Sequence, residues 1–129
     1  MPARNGKQWA NVPGKLASGE YVDSRIYSDH AIFEEEVSEI FRKVWMPVCH
    51  ESELPDPYCF RTTTVAREPI MVVRGGDNVV RAFLNVCPHR GNMIENRPSG
   101  SFEEGSPSGA PKHMTCMFHA WQFDMKGNC

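Results

Sequence analysis

Two short boxes, each holding one cysteine and one histidine, constrain this chain more than any other feature of its sequence. The first box is Cys87-Pro88-His89-Arg90-Gly91, and the second is Cys116-Met117-Phe118-His119-Ala120-Trp121. Each box offers a thiolate and an imidazole on a short loop. Together they supply the four ligands of one small metal centre. That centre is either a zinc site with two cysteine and two histidine ligands or a [2Fe-2S] cluster in which two histidines replace two cysteines on one iron.

The order of the ligands within the boxes favours the cluster. Zinc fingers usually pair cysteine with cysteine and histidine with histidine, whereas here the boxes read Cys-x-His and Cys-x-x-His. This mixing suits two metals that are bridged by sulfides. Cys87 and Cys116 are then expected to bind one iron, and His89 and His119 are expected to bind the other.

The chain as a whole predicts one small domain with a helix in front of it. A length of 129 residues suits a single domain and is too short for separate cofactor and substrate domains. Residues 1–27 are interpreted as a loosely docked arm because they hold few apolar positions. Residues 28–45 form the predicted helix, since apolar side chains recur there at steps of three and four. Ser28 or Asp29 can cap its start, and Pro47 stops it.

From residue 46 onward the pattern is that of an antiparallel β fold. Runs rich in β-branched and aromatic residues alternate with turn residues, and Gly75-Gly76-Asp77-Asn78 is a strong hairpin signal. The fold class that we predict is mainly β, a small antiparallel barrel or sandwich with a cluster-binding subdomain. Its predicted strands are Tyr58 to Val65, Ile70 to Arg74, Val79 to Val86, His113 to Cys116 and Trp121 to Asp124.

Charge, hydropathy and cysteine usage argue against several kinds of partner. Fourteen Lys plus Arg against sixteen Asp plus Glu give a net charge of −2, so nothing suggests a nucleic-acid surface. No apolar run approaches the roughly 18 residues of a membrane span, and the first residues lack a signal-peptide pattern, so we expect a cytoplasmic protein without membrane contact. An odd count of five cysteines argues against a disulfide framework. The residues interpreted as ordinary thiols or non-ligands are Cys49, Cys59, Cys129 and His113.

The two boxes resemble those of a Rieske iron–sulfur domain. The helix that ends at Trp45, the segment Val48 to Pro55 and the run Arg81 to Val86 further resemble the N-terminal part of α subunits of aromatic ring-hydroxylating dioxygenases. The resemblance implies that residues 46–129 are a Rieske domain and that its cofactor is a [2Fe-2S] cluster. The resemblance also implies a mononuclear Fe(II) in a catalytic domain, which we expect to lie outside these 129 residues.

Four further residues are expected to support the cluster loops. Pro88 stiffens the first loop, and Gly91 permits close backbone approach with free N–H donors toward the sulfides. Trp121 packs under the loop, as in the family, or is a simple core residue. Arg90 either steers a redox partner or stabilises the loop.

The sequence departs from the family pattern in two places. The interval between the boxes is longer than usual, and the surplus stretch from Ser99 to Pro111 is interpreted as a surface loop insertion. In the second box, Phe118 and Ala120 stand where the family often has Tyr and Gly. Loss of the Tyr hydroxyl removes one hydrogen bond that could tune the reduction potential.

The resemblance implies a role in electron transfer, within aromatic hydrocarbon catabolism. A reductase or ferredoxin supplies electrons, which pass through the cluster to the mononuclear iron of the same or a neighbouring α subunit. There O2 and an aromatic compound react, and a β subunit is a further partner. This chain alone is expected to carry an electron without hydroxylating anything. Two alternatives stay open, a free-standing Rieske ferredoxin and a zinc-bound structural module.

Overall fold

A computed structural model describes residues 24–103 and 112–129 of the chain. The chain divides into two compact units, Met1–Trp45 and Met46–Cys129, and each is described by itself. Most of the predicted N-terminal arm, and the larger part of the predicted insertion, lie outside the described residues. No helix in the described ranges is long and apolar enough to cross a membrane.

The described part of the first unit is helical. A 3-10 turn at Ser24–Tyr27 leads into helix α1, His30–Glu36, which continues as a π-helical turn at Val37–Phe41. Asp29 caps α1, because its side chain accepts a hydrogen bond of 2.8 Å from the Ala31 N–H. The cap predicted from the sequence is therefore correct.

This helix is shorter than the sequence predicts, since it ends at Phe41 rather than at Trp45. The π turn closes with the Arg42 N–H donating to the Val37 carbonyl at 3.1 Å. The next two amides, of Lys43 and Val44, both donate to the Ile40 carbonyl. Because these two donors share one acceptor, the regular series of helical hydrogen bonds stops at this turn.

The second unit is built on two antiparallel sheets. Strands β1 (Cys59–Val65), β2 (Glu68–Arg74), β3 (Val80–Leu84) and β4 (Ser99–Ser101) form the larger sheet in the order β3-β2-β1-β4. Strands β5 (Met114–Thr115) and β6 (Gln122–Phe123) form a separate hairpin. The mainly β, antiparallel class predicted from the sequence is confirmed.

Strand β4 is a correction to the predicted surface insertion. Its residues were expected to be loop, yet they pair with the start of β1, with Cys59 opposite Ser101 and Arg61 opposite Ser99. The Thr62 amide extends this edge by donating to the Pro98 carbonyl at 3.0 Å. The run Ser-Gly-Ser carries no strand pattern of its own, so the exposed edge of β1 supplies the pairing that makes it a strand.

One core joins the sheet to the two cysteine boxes. Phe60 and Met71 lie on the inner face of the larger sheet, and Met114 and Phe123 face them from the small hairpin. Cys87 and Cys116 are members of the same buried set, each 2% exposed. The cysteine of each box is therefore anchored in the buried core of the unit.

Candidate metal centre

The two boxes fold into loops with the same backbone frame. The first loop, residues 87–92, follows β3, and the second loop, residues 116–121, connects β5 to β6. In each loop the N–H of the cysteine donates to the carbonyl of the sixth residue, and the N–H of the fifth residue donates back to the cysteine carbonyl. These bonds are Cys87 to Asn92 and Cys116 to Trp121, both 2.8 Å, and Gly91 to Cys87 and Ala120 to Cys116, both 2.9 Å.

The fifth residue of each loop has a left-handed backbone. Gly91 has φ 73° and Ala120 has φ 59°. The Gly91 N–H was expected to point freely toward sulfides, but it donates to the Cys87 carbonyl at 2.9 Å. Gly91 is thus needed for the turn rather than for a free donor, and Ala120 adopts the same conformation with a Cβ that disfavours it.

Exchanging these two residue types should shift stability in opposite directions. Ala120→Gly should raise the free energy of unfolding by about 0.5–1 kcal/mol, because it removes the Cβ from a left-handed position. Gly91→Ala should lower it by about 1 kcal/mol through backbone strain alone, since a Cβ there meets no atom within 4 Å. Thermal unfolding of the two cluster-loaded variants measures both changes, and shifts of the same sign would contradict the paired conformations.

The two cysteine side chains meet in the interior. Cys87 and Cys116 are each 2% exposed and belong to the same buried cluster. The Phe118 N–H lowers the pKa of the Cys116 thiol, and the thiol of Cys87, the His119 N–H and the Asn92 amide lower it further, together outweighing the effect of burial, which raises it. A thiolate favoured in a dry pocket is the form that binds iron.

The two histidine side chains meet at the surface. The rings of His89 and His119 lie 4.6 Å apart between centroids, at an interplanar angle of 70°. Trp121 stacks on His89 at 4.9 Å with an angle of 2°, and Phe118 lies 4.0 Å from the His119 ring. Two exposed imidazoles are therefore held side by side in an aromatic setting.

This donor set fits two irons as two separate pairs. A [2Fe-2S] cluster of this type needs two thiolates on one iron and two imidazoles on the other, and the structure brings together a pair of each.

A buried asparagine holds the two ends of the first loop together. Asn85, 1% exposed, lies two residues before Cys87. Its Nδ2 donates to the Glu95 carbonyl at 2.6 Å, and its Oδ1 accepts from the amides of Ile94 and Glu95 at 3.2 and 3.0 Å. The side chain thus ties the entry of the loop to its exit.

Asn85→Ala should lower the free energy of unfolding by about 2–3 kcal/mol. The substitution leaves two amides and one carbonyl without partners in a site that excludes water. The matched control is Asn96→Ala at an exposed position of the same segment, which should change stability by less than about 0.5 kcal/mol. Denaturant unfolding compares the two, and equal losses would show that the Asn85 bonds contribute little.

The remaining predicted residues have simpler surroundings. Pro88 lies in the first loop and borders an apolar cavity of about 220 Å³. Arg90 is exposed and makes no hydrogen bond or ion pair with any residue that the structure describes, so its support of the loop stays a prediction. Cys49, Cys59 and Cys129 are free thiols. His113 precedes β5 and lines a different cavity, of about 420 Å³.

Sequence reasoning missed Asn92 as part of the site. Its backbone carbonyl receives the Cys87 N–H, and its side chain approaches the Cys116 sulfur. The only signal was its place one residue after the first box, in a position where asparagine has no special turn role.

The chain matches one protein family and a set of oxygenase subunits. The profile of the Rieske [2Fe-2S] domain matches residues 44–129. The chain is 68% identical over 129 residues to the methanesulfonate monooxygenase hydroxylase subunit alpha of Methylosulfonomonas methylovora, covering 100% of the chain and 31% of that protein. It is 47% identical over 112 residues to the 2-aminobenzenesulfonate 2,3-dioxygenase subunit alpha of Alcaligenes sp, covering 87% and 26%. The chain therefore spans about a third of the length of these relatives, or less.

Solved structures of Rieske oxygenases share the fold. The quaternary ammonium Rieske monooxygenase CntA in complex with gamma-butyrobetaine superimposes with a TM-score of 0.68 at 40% identity, over 80% of this chain and 27% of that one. Naphthalene 1,2-dioxygenase from Rhodococcus sp. gives a TM-score of 0.70 at 25% identity, over 82% and 22%. The paired loops, the core beneath them and these matches agree, and the chain belongs to the Rieske [2Fe-2S] domain family, as the domain found in α subunits of Rieske oxygenases.

Proposed function

We propose that this chain is the electron-transfer part of an oxygenase α subunit, with Cys87 and Cys116 on one iron and His89 and His119 on the other. The observation that carries the proposal is the difference in burial between the two kinds of ligand, since the cysteines are buried and the histidines are exposed. The thiols meet in the core, while the imidazole rings meet at the surface 4.6 Å apart. When bound, a [2Fe-2S] cluster supplies one-electron redox chemistry.

The residues themselves decide how easily the electron is accepted. Two thiolates and two neutral imidazoles leave the oxidised centre neutral, whereas four thiolates leave it a dianion. Adding an electron to a neutral centre costs less, which is why such centres lie at roughly −150 to +300 mV and not near −400 mV. The exposed imidazoles place the redox-active end within reach of a donor or acceptor, while the buried thiols keep water from the sulfur end.

The proposed domain covers residues 46–129, and its partners are the rest of an oxygenase system. We propose a reductase or ferredoxin as the electron donor and a mononuclear Fe(II) of the same or a neighbouring α subunit as the acceptor, with a β subunit as a further partner. A cytoplasmic location suits this chemistry, because five reduced cysteines persist in a reducing compartment.

We propose an organosulfonate as the substrate of the whole protein. The sequence alone predicted an aromatic compound. The relative with 68% identity is named for methanesulfonate, and the relative with 47% identity is named for an aromatic sulfonate. The sulfonate group is what these two named substrates share, so it supports a sulfonate more strongly than an aromatic ring.

Two experiments test these proposals separately. The reduced holoprotein should contain two irons and two sulfides and give a rhombic EPR signal, and a colourless protein with one zinc would overturn the cluster. For the substrate, the complete α subunit with its reductase should consume O2 with methanesulfonate or 2-aminobenzenesulfonate. Consumption with biphenyl and with neither sulfonate would support the aromatic alternative instead.

A further inference from the structure

Asn92 links the two cluster loops. It is the sixth residue of the first loop, and its backbone carbonyl accepts the Cys87 N–H at 2.8 Å. Its side-chain Nδ2 donates to the Met93 carbonyl at 2.6 Å and to Cys116 Sγ, in the second loop, at 3.9 Å. One residue therefore contacts the backbone of one cysteine and the sulfur of the other.

The Asn92 amide has one hydrogen available for the Cys116 sulfur. The Nδ2 group carries two hydrogens, and the bond to Met93 occupies one of them and holds the amide in place. The second hydrogen is then available to Cys116 Sγ. Asn92 is only partly exposed, so this bond acts in surroundings of low polarity, where hydrogen bonds to charged groups are stronger.

The second loop has a counterpart of this contact. Trp121, its sixth residue, accepts the Cys116 N–H with its carbonyl and stacks its ring on His89 of the first loop. Each sixth residue thus holds its own cysteine through the backbone and reaches a ligand of the opposite loop through its side chain. Asn92 acts on the sulfur end of the site, and Trp121 acts on the imidazole end.

We propose that Asn92 is a positioning residue that raises the reduction potential of the cluster through its hydrogen bond to Cys116 Sγ. The proposal rests on the proposed function, because it takes Cys116 to be an iron ligand. Reduction adds one electron and breaks no bond, and it increases the negative charge on the ligand sulfurs. An N–H donor at Cys116 Sγ stabilises that charge more in the reduced state than in the oxidised state.

Two substitutions of Asn92 test the bond in the holoprotein. Asn92→Leu keeps the approximate volume and removes the donor, so the equilibrium constant for reduction should fall about tenfold, which is about 59 mV for one electron. Asn92→Asp replaces the donor by a negative acceptor, so the potential at neutral pH should fall further. The measurement is a reductive titration with dithionite, followed by EPR and visible circular dichroism. Asn96→Leu, an exposed asparagine outside both loops, is the control and should leave the potential unchanged.

The outcomes separate this proposal from the proposed function. A wild-type protein without a [2Fe-2S] signal would overturn both. A normal wild-type signal with an unchanged potential in Asn92→Leu would overturn the role of Asn92 alone. Loss of the cluster in both Asn92 variants, with Asn96→Leu intact, would also overturn it and assign Asn92 to assembly. A fall in the potential in the order Asn92→Asp below Asn92→Leu below wild type, at full cluster content, supports the proposal.

Discussion

Replacing Cys116 by serine should leave the protein without its [2Fe-2S] spectrum. Iron in such a cluster is held by thiolates on one side, and the Cys116 thiol lies buried against Cys87, where burial leaves no water to replace a lost ligand. Serine offers a hydroxyl that stays protonated and binds iron weakly. Iron and sulfide content should fall from two of each per chain to nearly none, together with the visible absorption and the EPR signal.

The other cysteines of the chain provide matched controls for this substitution. Cys129 is exposed and Cys59 lies at the start of β1, and neither belongs to the two loops. Cys129→Ser and Cys59→Ser should keep full iron content and the native EPR signal. A native spectrum in Cys116→Ser would show that Cys116 is not a ligand, and loss of the cluster in Cys129→Ser would point to a different ligand set.

The two loops of the candidate centre could be predicted from the sequence because their residue pattern is local. A cysteine and a histidine separated by one or two residues on a tight loop present a thiol and an imidazole without help from the rest of the fold. The β2–β3 hairpin was predictable for a similar reason, since the turn signal is contained in four residues and the Asn78 N–H donates to the Gly75 carbonyl at 2.9 Å. Features that are set by neighbouring residues are the ones that a sequence pattern predicts best.

Features that depend on distant partners could not be predicted. Strand β4 forms because it pairs with the open edge of β1, and the sequence Ser-Gly-Ser alone does not indicate that pairing. The contact from Asn92 to Cys116 joins residues 24 positions apart, so it exists only after both loops are in place. The Ala120 conformation could not be predicted either, because the hydrogen-bonded loop imposes a left-handed φ that alanine does not favour.

The substrate class could not be predicted for a different reason. The two boxes lie within the matched Rieske domain, and relatives of this chain are named for methanesulfonate, an aromatic sulfonate and carnitine. One domain family thus occurs in relatives that are named for several substrate chemistries. An aromatic substrate predicted from the boxes and their flanks goes beyond what those residues can specify.

Replacing His119 by cysteine should lower the reduction potential of the cluster strongly. In the proposed ligand set two neutral imidazoles keep the oxidised centre neutral, and the change adds a third thiolate, so the added electron meets a negative charge. The potential should fall on the order of a hundred millivolts or more, toward the roughly −400 mV of four-thiolate clusters. A redox titration followed by EPR measures the shift, and the g values should move toward those of four-cysteine ferredoxins.

The control for this variant is His113→Cys, because His113 also lies three residues from Cys116 but lines a separate cavity. That substitution adds a thiol near the second loop without changing an iron ligand, so the potential and the EPR signal should stay as in the wild type. The His119 and His89 rings, the proposed ligand pair, lie 4.6 Å apart between centroids, and of these two substitutions only that of His119 should change the charge of the centre. An unchanged or raised potential in His119→Cys, with the cluster fully loaded, would argue against histidine ligation. Other residues would then have to bind the second iron.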